Sequence, residues 1–175
     1  DTTDRVVLLE AHRVGHGASG HNAGMMVAKI ERPTRDLVQE FGEEVVKKGL
    51  RALDRSWDIL ETLRRDLELQ TPIYPCPEQV GFTQPEPFLT ELDNVLWRAR
   101  LGLPYEPMKI SRTSAWIKHI PKEYASVWEV AEPDLIRELL EHDAPTYQAV
   151  LNRRMACGNS ALLSEEIIRC LLERY

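Results

Sequence analysis

Between residues 34 and 67 the apolar side chains Val38, Phe41, Val45, Val46, Leu50, Leu53, Trp57, Leu60, Leu63 and Leu67 return every three or four positions, with Glu, Lys and Arg between them. That spacing puts them on one face of an α-helix and obliges the chain to cover a long helical stripe with a core. Thr34 follows Pro33 and is placed to cap the helix, while Gly42 and Gly49 interrupt so long a pattern. The expectation is one long bent helix or two abutting ones. Covering material follows in the sequence. Residues 79–83, Gln-Val-Gly-Phe-Thr, read as a strand after a loop marked by Pro72, Pro75 and Pro77. Residues 86–101 set Phe88, Leu89, Leu92, Val95, Leu96 and Ala99 on one helical face, stopped by Gly102 and Pro104. Residues 105–131 show no clear period and read as short strands and loops. A short helix over 133–140, a strand over 147–157 and a helix over 164–175 capped by Ser164 complete a mixed α/β chain.

Composition excludes several classes. With 175 residues, 43% of them hydrophobic and 29% charged, the chain is of globular type and long enough for one domain or pieces of two. A formal net charge of −6 offers no general field to attract nucleic acid or an anionic membrane, so a small-molecule partner is expected instead. No apolar run approaches the ~20 residues that cross a bilayer, and Asp1-Thr2-Thr3-Asp4 lacks the basic-then-apolar layout of a signal peptide, so a cytoplasmic location is expected. Cys76, Cys157 and Cys170 are far apart and without CxxC spacing, which reads as three reduced structural thiols. His12, His16, His119 and His142 show no metal spacing and read as surface or loop residues.

The most informative stretch is near the beginning. Arg5-Val6-Val7-Leu8-Leu9 is a short apolar run closed by Glu10, and it reads as an internal parallel strand buried on both faces. Residues 12–24 then place Gly15, Gly17, Gly20 and Gly24 among small and polar residues, as a loop with close backbone approaches would require. In dinucleotide-binding folds an acid at the end of the second strand accepts hydrogen bonds from ribose hydroxyls, and Glu10 stands at that place. The same folds carry a GxGxxG turn roughly 20 residues before the acid, so the phosphate turn is expected upstream of residue 1. Taken alone, the pattern more often describes an ordinary strand and loop.

The residues themselves are more specific. Leu9-Glu10-Ala11 followed by Gly15-His16-Gly17-Ala18-Ser19-Gly20-His21-Asn22-Ala23-Gly24-Met25 resembles the "LEA … GASGxNAG" segment of the D-amino-acid-oxidase-like flavoproteins, the family of glycine oxidase and the sarcosine and dimethylglycine oxidoreductases. The resemblance is looser over the helical region, the Val80-Gly81-Phe82 strand and the Cys157-Gly158-Asn159-Ser160-Ala161-Leu162-Leu163 segment, where the family usually has a proline at the helix start and this chain has Ser164. It implies an internal fragment in which residues 1–35 and 155–175 form part of a Rossmann-like FAD-binding domain and residues 36–154 a helical and β substrate-side segment. It further implies that Glu10 holds the adenosine ribose, that Ala11 lies against the adenine end, and that Ala18 and Ser19 approach the pyrophosphate. Asn22, Ala23, Gly24 and Met25 would pass beside the flavin ring.

His21 reads as an exposed loop histidine; the alternative, from the dimethylglycine and sarcosine dehydrogenase branch, is a covalent flavin link. The implied reaction is oxidation of an amine or amino acid by hydride transfer to FAD, with the protein supplying orientation and electrostatics. No catalytic residue is carried over, because the family's substrate contacts come mainly from regions after the one matched here. The chain alone is accordingly expected to be inactive, to hold FAD weakly or not at all, and to expose sheet edges that favour self-association. Two other readings stay open, a flavoprotein dehydrogenase of glycerol-phosphate type and a non-catalytic interaction module.

Overall fold

A computed structural model describes residues 7–143 and 145–174. In it the helical stripe is cut into three: α1 (Thr34–Phe41), α2 (Glu43–Asp54) and α3 (Ser56–Asp66). Gly42 makes the first cut by taking φ +81°, and its N–H still closes on the Val38 carbonyl. Gly49 causes no break and sits in the middle of α2. Thr34 is the first residue of α1 rather than its cap; its backbone N–H is satisfied by Asn94 Oδ1 at 2.9 Å.

Contacts divide the chain into two compact units. The larger comprises Val27–Trp57 and Cys76–Met155. Its sheet is built from β3 (Glu78–Phe82), β4 (Met108–Ser111), β5 (Trp128–Ala131) and β6 (Ala149–Arg153), in the order β3-β6-β4-β5. The β3–β6 and β4–β6 pairs are antiparallel and β4–β5 is parallel. Strand alternation loads both faces. Ala149 and Leu151 turn towards helix α4 (Pro85–Arg100) and join Phe82, Phe88, Leu92, Met108 and Ile110 in the main core, whereas Val150 turns the other way to meet Ile136 of α5 (Pro133–Leu140). Gly81 lies opposite Val150. A Cβ there would fall 2.5 Å from Tyr147 Cδ1 and 2.8 Å from Leu140 Cδ1, so glycine is what lets α5 and Tyr147 cover that face. Trp116, Ile117 and Ile120, from the stretch that showed no period in the sequence, pack on the main core through a 3₁₀ turn at Ala115–His119.

Polar contacts fix the helices of this unit. Arg35 of α1 grips Asp93 of α4 with two bonds, at 3.0 and 2.5 Å, and the Tyr124 hydroxyl donates to the same carboxylate at 3.3 Å. Burial, reinforced by the Asp93 charge, pushes the Tyr124 hydroxyl above its ordinary pKa. On the other side of α4, Arg153 reaches Glu91 at 2.9 Å and Glu78 at 3.2 Å.

The smaller unit comprises residues up to Met26, Asp58–Pro75 and the chain from Ala156 on. Its sheet has the order β1-β7-β2, from β1 (Met25–Val27), β2 (Ile73–Pro75) and β7 (Met155–Gly158), with β2 and β7 antiparallel. The single strand expected over 147–157 is therefore two strands in two sheets, separated at Arg154. The proline loop around residue 73 also contributes a strand, with Pro75 at its end, where a missing N–H costs no ladder bond. Helix α6 (Ser160–Arg174) starts four residues earlier than the sequence suggested. Asn159 Oδ1 accepts from the Leu162 N–H at 3.1 Å and caps it, while the Ser164 hydroxyl is inside the helix and donates back to the Ser160 carbonyl.

One expectation is corrected outright. Of the segment read as a buried strand, Arg5 and Val6 lie outside the described residues, and Val7, Leu8 and Leu9 are in no strand and stand 74%, 71% and 89% exposed. A strand buried on both faces needs a neighbour on each side, and among the described residues nothing pairs with this one. The three cysteines form no disulfide. Among the described residues no helix is long and apolar enough to cross a membrane.

The main core predicts its own sensitivity. Phe88 is fully buried, with ring centroids 5.8 Å from Phe82 and 5.7 Å from Trp116. Phe88→Ala is expected to lower unfolding free energy by about 3–5 kcal/mol in urea titrations followed by circular dichroism, and a loss below about 1 kcal/mol would contradict this packing.

Candidate functional site

The glycine-rich loop folds largely on itself. The Gly17 carbonyl accepts from the backbone N–H groups of Gly20 and His21, each at 3.1 Å, and lies 3.1 Å from the His21 ring Nδ1. Asn22 braces the turn on both sides. Its Nδ2 donates to the carbonyls of Ala18 and Ser19 at 3.0 Å each, and its Oδ1 accepts from the Gly24 N–H at 2.7 Å. Two glycines are obligatory here. A Cβ on Gly20 would fall 1.8 Å from the Gly15 carbonyl oxygen, and one on Gly24, which has φ +69°, would fall 2.0 Å from the Gly158 oxygen. Gly24 in turn accepts the Gly158 N–H at 3.0 Å, which ties the end of the loop to β7.

Each residue singled out in the sequence can now be placed. Glu10 and Ala11 are exposed, and Glu10 Oε1 accepts the His12 N–H at 3.0 Å. Ala18 and Ser19 are exposed, and their N–H groups have no hydrogen-bond partner among the described residues. Asn22 and Gly24 meet in one turn, Ala23 leads into it, and Met25 opens β1. His21 is exposed and lies edge-on to His16 at 5.3 Å, which in turn lies 4.9 Å from His12. Those three rings do not converge on a point, and among the described residues no group of His, Cys, Asp or Glu is arranged to hold a metal ion.

Behind the loop lies α6. Gly15 approaches Ala161 and Ser164 of its first turns, and Arg13 reaches Glu165 at 3.4 Å across the surface. One turn further in, Glu166 is buried and accepts three hydrogen bonds, from the Gln70 N–H at 2.6 Å, the Thr71 N–H at 2.8 Å and the Thr71 hydroxyl at 2.6 Å. The Thr71 hydroxyl first, and the two N–H groups with it, favour the charged form and hold this carboxyl below its ordinary pKa. Glu166 thus fixes the turn between α3 and β2, a role that its place on a helix four residues after Leu162 did not announce.

The larger unit holds a separate cleft of about 530 Å³, within the range of small-molecule sites. Its floor is apolar, with Leu50, Leu53, Trp57, Val95 and Leu151, and its walls carry charge from residues 29–32, α2, α4 and the end of β6. Most of these charges are paired in place: Arg98 with Asp54 at 2.6 Å, Arg32 with Glu40, Arg153 with both Glu91 and Glu78, and Glu106 with the Asn152 amide and with Lys109, which also meets Glu129. Arg154 is different. Its guanidinium carbon stands 4.5 Å over the Trp57 ring centroid, and it has no carboxylate partner among the described residues. Sequence reasoning missed this cleft, because Trp57 read as one more position of a helical stripe and Arg154 as part of a continuous strand. Comparison of the chain with protein-family models, curated proteins and solved structures finds no match.

The Glu166 cluster generates a pH prediction. Because its folded pKa is lowered from the ordinary 4.5, its contribution is fully present above that value and is lost as pH falls through the folded pKa. Stability measured by denaturant titration from pH 7 downward should therefore decline on the acid limb. Glu166→Gln should be less stable at pH 7 and show a flatter acid limb; parallel curves for the two proteins would refute the assignment.

Proposed function

We propose that the chain carries the flavin-contact loop of an FAD-dependent oxidoreductase of the D-amino-acid-oxidase-like type, acting on an amine or amino acid. In this reading residues 1–35 and 155–175 belong to a Rossmann-like FAD-binding domain and residues 36–154 lie on the substrate side. The observation that carries it is the run from Leu9 to Met25, in which the resemblance to that family coincides with a tight turn that depends on its glycines. Gly20 and Gly24 sit where no side chain fits, Asn22 holds the turn by three hydrogen bonds, and the N–H groups of Ala18 and Ser19 remain unspent. Unpaired amides in a tight turn suit the oxygens of a pyrophosphate.

The residues fit their assigned tasks. Glu10 uses Oε1 on His12 and keeps Oε2 for a ribose hydroxyl. Ala23 and Gly24 present little bulk, so a flat ring can lie close to the backbone. FAD, when bound, supplies the chemistry by accepting a hydride from the carbon beside the substrate nitrogen, leaving an imine after loss of the nitrogen proton. The tasks of the chain are binding, orientation and exclusion of water.

Because Val7–Leu9 are exposed, the platform behind Glu10 is incomplete and binding by the chain itself is expected to be weak. In a form of the protein that carries the phosphate turn, quenching of FAD fluorescence should saturate, and Glu10→Ala should weaken it about ten- to a hundredfold, as loss of a charge-assisted hydrogen bond implies. Absence of saturable quenching, or equal quenching by the variant, would remove the basis for the reading. In that same form, anaerobic bleaching of the bound flavin by amines or amino acids, and not by glycerol phosphate, tests the reaction class.

His21 is tested separately. Acid precipitation should release the flavin, since the His21 ring is turned onto the Gly17 carbonyl. Flavin retained in the pellet of the native protein and absent from that of His21→Ala would show a covalent link instead.

A further inference from the structure

The glycine loop carries three histidines that no sequence spacing grouped. Folding brings them together: the His12 and His16 ring centroids lie 4.9 Å apart, and those of His16 and His21 lie 5.3 Å apart. All three are exposed. His16 and His21 stand at the two ends of the turn 17–20, and between them in the chain are the backbone N–H groups of Ala18 and Ser19, which have no hydrogen-bond partner among the described residues. The His21 Nδ1 lies 3.1 Å from the Gly17 carbonyl; with that nitrogen donating, Nε2 is the one that gains a proton. The charged and titratable groups around the rings are Glu10 and Arg13 of the loop itself, Glu165, Glu166 and Arg169 of α6, and Cys157 of β7. Each is engaged elsewhere: Arg13 with Glu165 at 3.4 Å, Glu166 with the Gln70–Thr71 turn and Arg169, the Cys157 thiol with the Ala23 carbonyl, and Glu10 with the His12 backbone N–H. None of these carboxylates bonds to an imidazole among the described residues.

Imidazole is the side chain whose charge changes between about pH 5 and 8. Imidazolium groups in adjacent rings repel, and with no carboxylate bonded to them that repulsion is relieved by an anion from outside. The unpaired amides of Ala18 and Ser19 stand where such an anion would be received. Protons and oxyanion therefore favour one another's binding, and the coupling is reciprocal. We propose that the His12–His16–His21 stack makes this loop a proton-linked oxyanion site, which takes up protons as it receives the phosphate oxygens of its ligand, so that the ligand is held more tightly as the pH falls towards about 6. That ligand is the one already proposed for the loop, the pyrophosphate of FAD, and the site rests on that reading. The rings set the sign. Protonation adds positive charge beside a pyrophosphate whose own charge is constant over this range, because each of its phosphates is a diester with a single, strongly acidic proton.

Titration of FAD into the form of the protein that carries the phosphate turn, followed by flavin fluorescence at about pH 8, 7 and 6, tests this. The dissociation constant should fall about tenfold from the first to the last, and calorimetry in two buffers of different ionisation enthalpy should show proton uptake on binding. His16→Asn combined with His21→Asn removes the two rings that flank the amides and should reduce the change to less than about twofold; His12→Asn, at the outer end of the stack, should reduce it by less. Circular dichroism establishes that each variant is folded, and where the double variant is not, proton uptake by the native protein and the His12→Asn profile decide the question. Saturable FAD binding of equal strength at all three pH values, weaker binding at the acid end, absence of proton uptake, or an unchanged profile in the folded double variant would each overturn the proposal and leave the flavin reading standing. Absence of saturable FAD binding at every pH would overturn both.

Discussion

The larger unit depends on the two-sided burial of one strand. β6 pairs with β3 on one edge and β4 on the other, and its residues alternate between two cores, Ala149 and Leu151 under α4 and Val150 under α5. A shift of its register by one residue would turn every one of these side chains to the wrong face. The charged end of the same strand then does a different task. Arg153 follows the Leu151 side and ties Glu78 and Glu91 together, which fixes α4 against the sheet edge. Arg154, at the point where the chain leaves this sheet for the other, is held instead by Trp57. The position of the cleft follows from these attachments.

The smaller unit is organised by backbone approach more than by apolar packing. Its loop comes so close to itself at Gly15–Gly20, and to β7 at Gly24–Gly158, that only glycine is accommodated at Gly20 and Gly24. Asn22 replaces, with three hydrogen bonds, the ladder or helix bonds that the loop lacks. Glu166 performs the same service for the turn at Gln70–Thr71, where a single carboxylate satisfies two backbone donors and a hydroxyl. Such arrangements leave amides near the surface unpaired, as at Ala18 and Ser19, and this is the property on which the flavin reading draws.

Periodic segments were legible in the sequence because their side chains report their own surroundings. The 133–140 helix, the 86–101 helix and the strand through Val80 and Phe82 all occur within a residue or two of where the apolar spacing put them. The loop with its necessary glycines was legible for the same local reason: a turn with φ above zero or a backbone contact selects glycine whatever lies elsewhere. The run Val7–Leu9 was misread because an apolar, β-branched segment states only a capacity to form a strand, and pairing requires partners that the segment does not encode.

What the sequence by itself determined was the mixed α/β character, the helical stripe and the glycine loop. Tertiary structure alone decided that the stripe is three helices, that residues 149–158 serve two sheets, and that Glu166 is buried. It alone also brought Trp57 and Arg154, 97 positions apart, into one stack at the wall of a cleft. The reason is physical. Helix periodicity and glycine turns are set by neighbours along the chain, whereas burial of a carboxylate, or the approach of an arginine to an indole, depends on which distant segments the sheets bring together, and no local pattern records it.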